Sequence, residues 1–365
     1  MKTKAFLIPL TYLLLSAALL TAIASGGDSS DPLVSLSYLN GTYTSTVSAK
    51  IEEKLDASDL ALEKLASPSG EVSACAETWT ESRLKERDVL SGSTGLNVLV
   101  LAGGVTVSFP SGTVIDVTEG TTPASGTALK ANHRYLVAED TAAEFTVASP
   151  TAVVDYMGRY AFSYSNAVDY NAIASALKAI HLFRGSYTGY GSGYDLEAAP
   201  TRLQALIMFI RVLGEEDAAL AYGGSVPFTD LTAGSNAAKY VGYAYEKGYT
   251  NGYTATLWKP SQRVNVRQYT EFMLRALGYS SAANTDLSGT MANAQSSSVL
   301  TAGEVTALTN ASFLRAQLVY ISYYALDAAL SGSAQTLRDS LCAKGIFTSG
   351  EYAAAAGMVS SARIG

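Results

Sequence analysis

The stretch APTRLQALIMFIRVLG, residues 199–214, places an arginine where a helix begins. Leu206, Phe209, Ile210 and Leu213 recur at helical spacing, and Ile207 and Met208 widen the apolar stripe, which predicts a buried helix. Thr201 followed three residues later by Gln204 fits a capping box, so Arg202 falls at the first helical position. The unpaired N–H groups and the macrodipole already make that end positive, and a cation there is unfavourable by itself. The same arrangement is suited to a ligand anion, because backbone N–H groups and a guanidinium can share one carboxylate. The alternative is that Arg202 is solvated or pairs with nearby Glu197.

Other chemistry is harder to find. His133 and His181 are the only histidines, and neither belongs to an H-x-x-x-H pair or a Cys/His cluster, so no zinc site is recognisable. There is no G-x-S-x-G elbow, and GYGSG (residues 189–193) lacks the strand and the Lys-Ser/Thr of a phosphate-binding loop. Glycosidases need only two carboxylates, which spacing does not exclude. The expectation is a protein that is not an enzyme and needs no cofactor or metal. Cys75 and Cys342 are too few for a disulfide framework and read as two thiols.

The elements that hold these residues can be read along the 365-residue chain. Residues 1–24 have Lys2 and Lys4, an apolar run from Ala5 to Leu20 and a small-x-small Ala22-Ile23-Ala24, the pattern of a secretory signal peptide. Its removal takes the net charge from −7 to −9, and with no basic block nucleic acid is a poor partner. Nothing later is apolar enough to span a membrane, so secretion to the cell surface is expected. Residues 25–85 read as a polar linker and an amphipathic helical stalk, with Ile51, Leu55, Leu62 and Leu65 among charges and a break at SPSG (residues 67–70). Residues 86–162 are short Val/Thr-rich runs between turn residues, which predicts a small antiparallel β-module. There are 23 Tyr against 10 Phe, a skew toward rings that pack on sugar C–H groups while hydrogen bonding through the hydroxyl.

From residue 163 to 350 the chain is helical and echoes itself, followed by a tail at 351–365. MFIRVLG (208–214) is echoed by FMLRALG (272–278), FTDL (228–231) by NTDL (284–287), and RLQ, VRQ and RAQ each open an apolar helix. In the stretch 226–279, FTDL, GYTNG, LWKP and QYTEFMLRALGY follow in order. These residues resemble the repeats of the S-layer homology family, in three copies at about 166–214, 226–279 and 284–347. The resemblance covers about half of the chain.

The resemblance implies a small β-module followed by an all-α three-repeat bundle with pseudo-threefold symmetry, an α+β multidomain chain. It also implies non-covalent anchoring to a secondary cell-wall polysaccharide bearing ketal-linked pyruvate. Carried onto this sequence, the binding residues would be Thr201, Arg202, Gln204 and Gly185 in the first copy. Arg267, Gly252, Tyr253 and Trp258 belong to the second, and Arg315 and Gln317 to the third. Two departures weaken the later copies. Val266 takes the arginine position of the second copy and moves Arg267 about 100° around the helix. Leu314 replaces the capping threonine of the third, leaving Ser312 as an alternative start. Gly185, Gly248 and Gly252 suit either a sugar's approach or a helix end, and Tyr187, Tyr190, Tyr194, Tyr253 and Trp258 either a stacking lip or ordinary packing. The competing reading is a surface-array subunit or adhesin that assembles with its own copies through the β-module and stalk, and a lesser one a small wall-tethered enzyme.

Overall fold

A computed structural model describes Gly41 and residues 43–65, 74–185, 194–281 and 283–365. The expected signal peptide, the SPSG break and the candidate ring residues Tyr187 and Tyr190 lie outside the described residues. The chain divides into two compact units, residues 1–61 and 62–365. The first carries most of helix α1 (Thr44–Leu65), in which Ile51 is exposed. Among the described residues no helix is long and apolar enough to cross a membrane.

Among the described residues the second unit holds nine antiparallel strands. They are β1 (Ala74–Lys85), β2 (Val89–Gly92), β3 (Asn97–Ala102), β4 (Val105–Ser108), β5 (Val114–Asp116), β6 (Thr127–Ala128), β7 (His133–Val137), β8 (Ala143–Val147) and β9 (Thr151–Ser163). Their order is β5-β7-β3-β9-β2-β8-β4-β6, with β1 also on β9. β9 is the spine. It pairs with β1 along Thr151–Tyr160 on one side, and with β3 and then β2 on the other, so the sheet curls into an open half-barrel. Alternation places Val98, Val100, Val107, Phe145 and Val154 in one core. At the turn between β3 and β4, Gly103 has φ +83 and lies against the Thr151 carbonyl, a position with no room for a Cβ.

Helices follow: α2 (Tyr170–Ala179), α3 (Arg202–Val212), α4 (Glu216–Leu220), α5 (Asn236–Glu246), α6 (Val266–Ala276), α7 (Thr290–Ser296), α8 (Ala302–Asn310), α9 (Arg315–Tyr324), α10 (Leu337–Ala343) and α11 (Ser349–Ala356). α3, α6 and α9 contact one another. Phe209 and Phe272 meet at 5.5 Å between ring centroids, and the buried hydroxyls of Tyr269 and Ser322 are 2.6 Å apart.

The expected fold class, a small β-module followed by an all-α three-repeat bundle with pseudo-threefold symmetry, is corrected. The sheet is a nine-stranded curled half-barrel with its own core, and the helices continue from it inside the same compact unit. α2 packs on β1, and Ser165 joins the parts by donating its N–H to Asp88 Oδ1 (2.8 Å) and its hydroxyl to the Glu86 carbonyl (2.5 Å). The helical part also contains the bridges Thr201↔Arg263 and Ala329↔Thr336. β1 was hidden in the sequence because ACAETWTESRLK is mostly polar. As a strand with one paired edge it buries only Ala76 and Leu84. The stalk assigned to residues 25–85 therefore ends before Ala74. Residues 351–365 are not a loose tail either: they hold most of α11, and Arg363 reaches Glu304 at 2.6 and 2.8 Å.

Candidate anion-binding site

Arg202 is the first residue of α3, as its spacing predicts. Thr201 is the N-cap: its hydroxyl accepts from the Gln204 N–H at 3.2 Å, and Gln204 Oε1 accepts from the Thr201 N–H at 3.0 Å. The Arg202 N–H is already given to the Gln262 carbonyl at 2.8 Å, and that of Leu203 to the Pro260 carbonyl at 3.1 Å. The first two N–H donors of the helix are thus used within the fold, leaving the side chain as the group available to an anion.

That side chain is 95% buried, at 5% exposure. Its guanidinium lies over the Trp258 ring, 4.9 Å from the centroid, and Nε donates to the Trp258 carbonyl at 2.9 Å. The terminal nitrogens have no hydrogen-bond partner among the described residues. Asp230 is near, and Glu271 lines the same cavity; each is engaged elsewhere. Asp230 accepts the backbone N–H groups of Trp258 and Lys259 at 3.0 and 2.7 Å. Glu271 accepts from Arg275 at 3.1 Å and from the Thr290 hydroxyl at 2.9 Å, with Ser280 and Asn284 completing its shell. Burial lowers the Arg202 pKa from its ordinary value, and Tyr253 and Asp230 offset part of that effect. Burial also opposes ionisation of Asp230, but the Trp258 and Lys259 N–H groups and then Arg202 hold its pKa below the ordinary value.

Arg202 borders a cavity of about 380 Å3, within the range of small-ligand sites. The loop Thr250–Ala255 forms one wall, and Gln268, Phe272 and Arg275 of α6 another. Gly252 and Tyr253, both candidates from the sequence, are in that loop; Gly252 has φ +90 and lies against the Phe228 ring. Tyr253 is half exposed, with Lys259 Nζ 3.6 Å from its ring centroid.

The other candidates fall elsewhere. Trp258 is fully buried and donates its indole N–H to Thr250 Oγ1 at 3.3 Å, so it supports the guanidinium and is no stacking lip. Arg267 is exposed, while Val266 is buried at the first position of α6. α9 starts at Arg315, so Ser312 does not start it; Gln317 Oε1 accepts from the Leu314 N–H at 2.8 Å. Arg315 Nη1 is paired with Asp195 Oδ2 at 3.0 Å, Asp195 buried and Arg315 partly buried. Tyr194 packs on the helical core, its hydroxyl 2.8 Å from that of Ser175. Gly185 and Gly248 have φ +72 each and do not line the cavity.

Sequence reasoning missed Asp230, Glu271, Arg275 and Asn284. The repeated FTDL contained Asp230, but a motif alone does not show that its carboxylate anchors the turn under Arg202. It also missed a cluster in the sheet: His133 Nδ1 lies 2.7 Å from Asp116 Oδ2, with Glu119 beside Nε2 at 3.8 Å. Lys130 holds that Glu119 at 2.6 Å. Asp116 is lowered in pKa, burial opposing and the hydrogen bonds from His133, Glu119 and Thr118 prevailing.

No family model matches the sequence, and no curated protein does. Among solved structures, the chain is similar to dTDP-4-dehydrorhamnose 3,5-epimerase from Bacillus anthracis, with 20% identity, a TM-score of 0.16, and coverage of 29% of this chain and 61% of that one. The corresponding epimerase of Legionella pneumophila gives 20% identity, a TM-score of 0.14 and coverage of 26% and 53%. Procruciferin, an 11S globulin of Brassica napus, gives 7%, 0.16, and 26% and 27%. The chain thus spans about three fifths or less of each of these proteins.

Proposed function

We propose that this protein binds an anionic glycan through a carboxylate held by Arg202, and that it attaches an exported chain to a secondary cell-wall polysaccharide bearing ketal-linked pyruvate. The observation that carries the reading is the buried guanidinium at the rim of the cavity, its terminal nitrogens unpartnered among the described residues while the nearby Asp230 and the cavity-lining Glu271 are engaged. A guanidinium this far from bulk water is incompletely solvated, and a ligand carboxylate would supply paired, charge-assisted hydrogen bonds from the cavity side. The pyruvate specificity comes from the resemblance of the repeated motifs. Nothing in this reading makes or breaks a bond, so the protein acts as a binding module and not as an enzyme.

The test is cosedimentation of the full chain with purified wall polysaccharide, native and after mild acid removal of its pyruvate ketals. Binding to the first and not the second is expected. Equal binding to both would mean that the glycan is held by other groups.

A further inference from the structure

Two arginines begin helices in the same local frame. The N–H groups of Arg202 and Leu203 go to the carbonyls of Gln262 and Pro260, and those of Arg315 and Ala316 go to the carbonyls of Ala198 and Leu196. In both cases the accepting loop places its carbonyls two residues apart. In both, the residue just before the nearer acceptor takes a left-handed backbone: Lys259 at φ 59 before Pro260, and Asp195 at φ 54 before Leu196. The side chains at that one position are opposite in charge. Lys259 turns its ammonium onto the Tyr253 ring at the cavity and leaves Arg202 open. Asp195 puts a carboxylate oxygen 3.0 Å from Arg315 Nη1, where a ligand carboxylate would have to bind.

The geometry points to a charge selector at this left-handed position: Lys259 keeps the Arg202 site open to anions, and Asp195 fills the corresponding place at Arg315 from within the chain. With Val266 at the first position of α6, this leaves a single open carboxylate-binding helix start among the described residues, at Arg202. The inference rests on the proposed anion binding at Arg202 and goes beyond it, because it sets the stoichiometry and names the residue that decides it. A lysine near the cavity adds favourable potential for an anion, whereas an internal carboxylate competes with any ligand at an effective concentration that a free ligand rarely matches.

The full chain is titrated by calorimetry with a methyl hexoside carrying a 4,6-linked pyruvate ketal. The native protein is expected to take one equivalent, and Lys259→Asp to bind at least about tenfold more weakly, since one charge-assisted pairing is replaced from inside. Two or more equivalents in the native protein, or unchanged binding by Lys259→Asp, would overturn the selector while leaving glycan binding intact. No binding by the native protein would count against the proposed function. Phenylglyoxal labelling followed by peptide mass spectrometry needs no ligand and reads the selector separately. Arg202 is expected to label faster than Arg315, Asp195→Asn to accelerate Arg315, and Lys259→Asp to slow Arg202. Equal native rates, unmoved by either substitution, would overturn the selector. Asp195→Asn is nearly isosteric and guards against a folding defect in the charge-reversed variant.

Discussion

Arg202 and Trp258 are joined twice: Nε donates to the Trp258 carbonyl at 2.9 Å, and the guanidinium plane lies 4.9 Å above the Trp258 ring. The first contact fixes the direction of the side chain, and the second keeps it there by a cation–π attraction that burial strengthens. What remains of the guanidinium faces the cavity.

Arg202→Lys keeps the charge and loses both the fork and the Nε contact. Glycan affinity is expected to fall by about 10–100-fold, corresponding to the loss of one or two charge-assisted hydrogen bonds, with a stability loss of about 1–3 kcal/mol from the freed Trp258 carbonyl. Calorimetric titration beside a melting curve separates the two effects. An unaltered affinity would mean that the arginine does not touch the ligand.

Gly252→Ala addresses the opposite wall. A Cβ at φ +90 would meet the Phe228 ring and the Thr254 carbonyl, so the loop must shift. A stability loss of about 1–3 kcal/mol is expected from the backbone strain, together with weakened glycan binding. Urea unfolding and titration of the same sample check both.

The helix start at Thr201–Arg202, the capping box and the loop glycine were all legible in the sequence, because each rests on local spacing. The charge state of each arginine was not. Arg315 meets Asp195 across 120 residues, and Glu271 collects partners from α6, α7 and the loop between them. Such pairings depend on tertiary placement. The sheet was read as a small module for a related reason: β1 is a polar strand whose pairing with β9 gives no alternating apolar signal.

Arg363→Ala removes the partner of Glu304, which is fully buried. The carboxylate keeps the Tyr320 hydroxyl at 2.8 Å and the Thr301 N–H at 2.7 Å, but loses its countercharge. The expected cost is about 3 kcal/mol, at the low end for a broken buried pair because Arg363 is itself 31% exposed. Arg363→Ala with Glu304→Gln is expected to recover part of it, since no buried charge is left. Chemical denaturation of the three proteins gives the comparison.

Acid should loosen the helical part through Glu304 and Glu216. Burial alone would raise both pKa values, but Arg363, Thr301 and Tyr320 for Glu304, and Tyr240, Arg211 and Arg184 for Glu216, hold them below the ordinary 4.5. A carboxyl lowered in the folded state stabilises above its unfolded pKa, and that contribution is lost as pH falls through the folded value. Stability is therefore expected to be level near neutrality and to decline below about pH 4.5. Glu304→Gln should flatten the decline, as read by melting temperature against pH.

The proposed contact between a glycan carboxylate and Arg202 is open to one decisive measurement. It is tested most directly by cosedimentation of the full native chain and folded Arg202→Ala, each with pyruvylated and depyruvylated wall polysaccharide. Binding is expected only for the native chain with the pyruvylated polymer. Full binding by Arg202→Ala with intact helical circular dichroism would contradict it and place the ligand elsewhere.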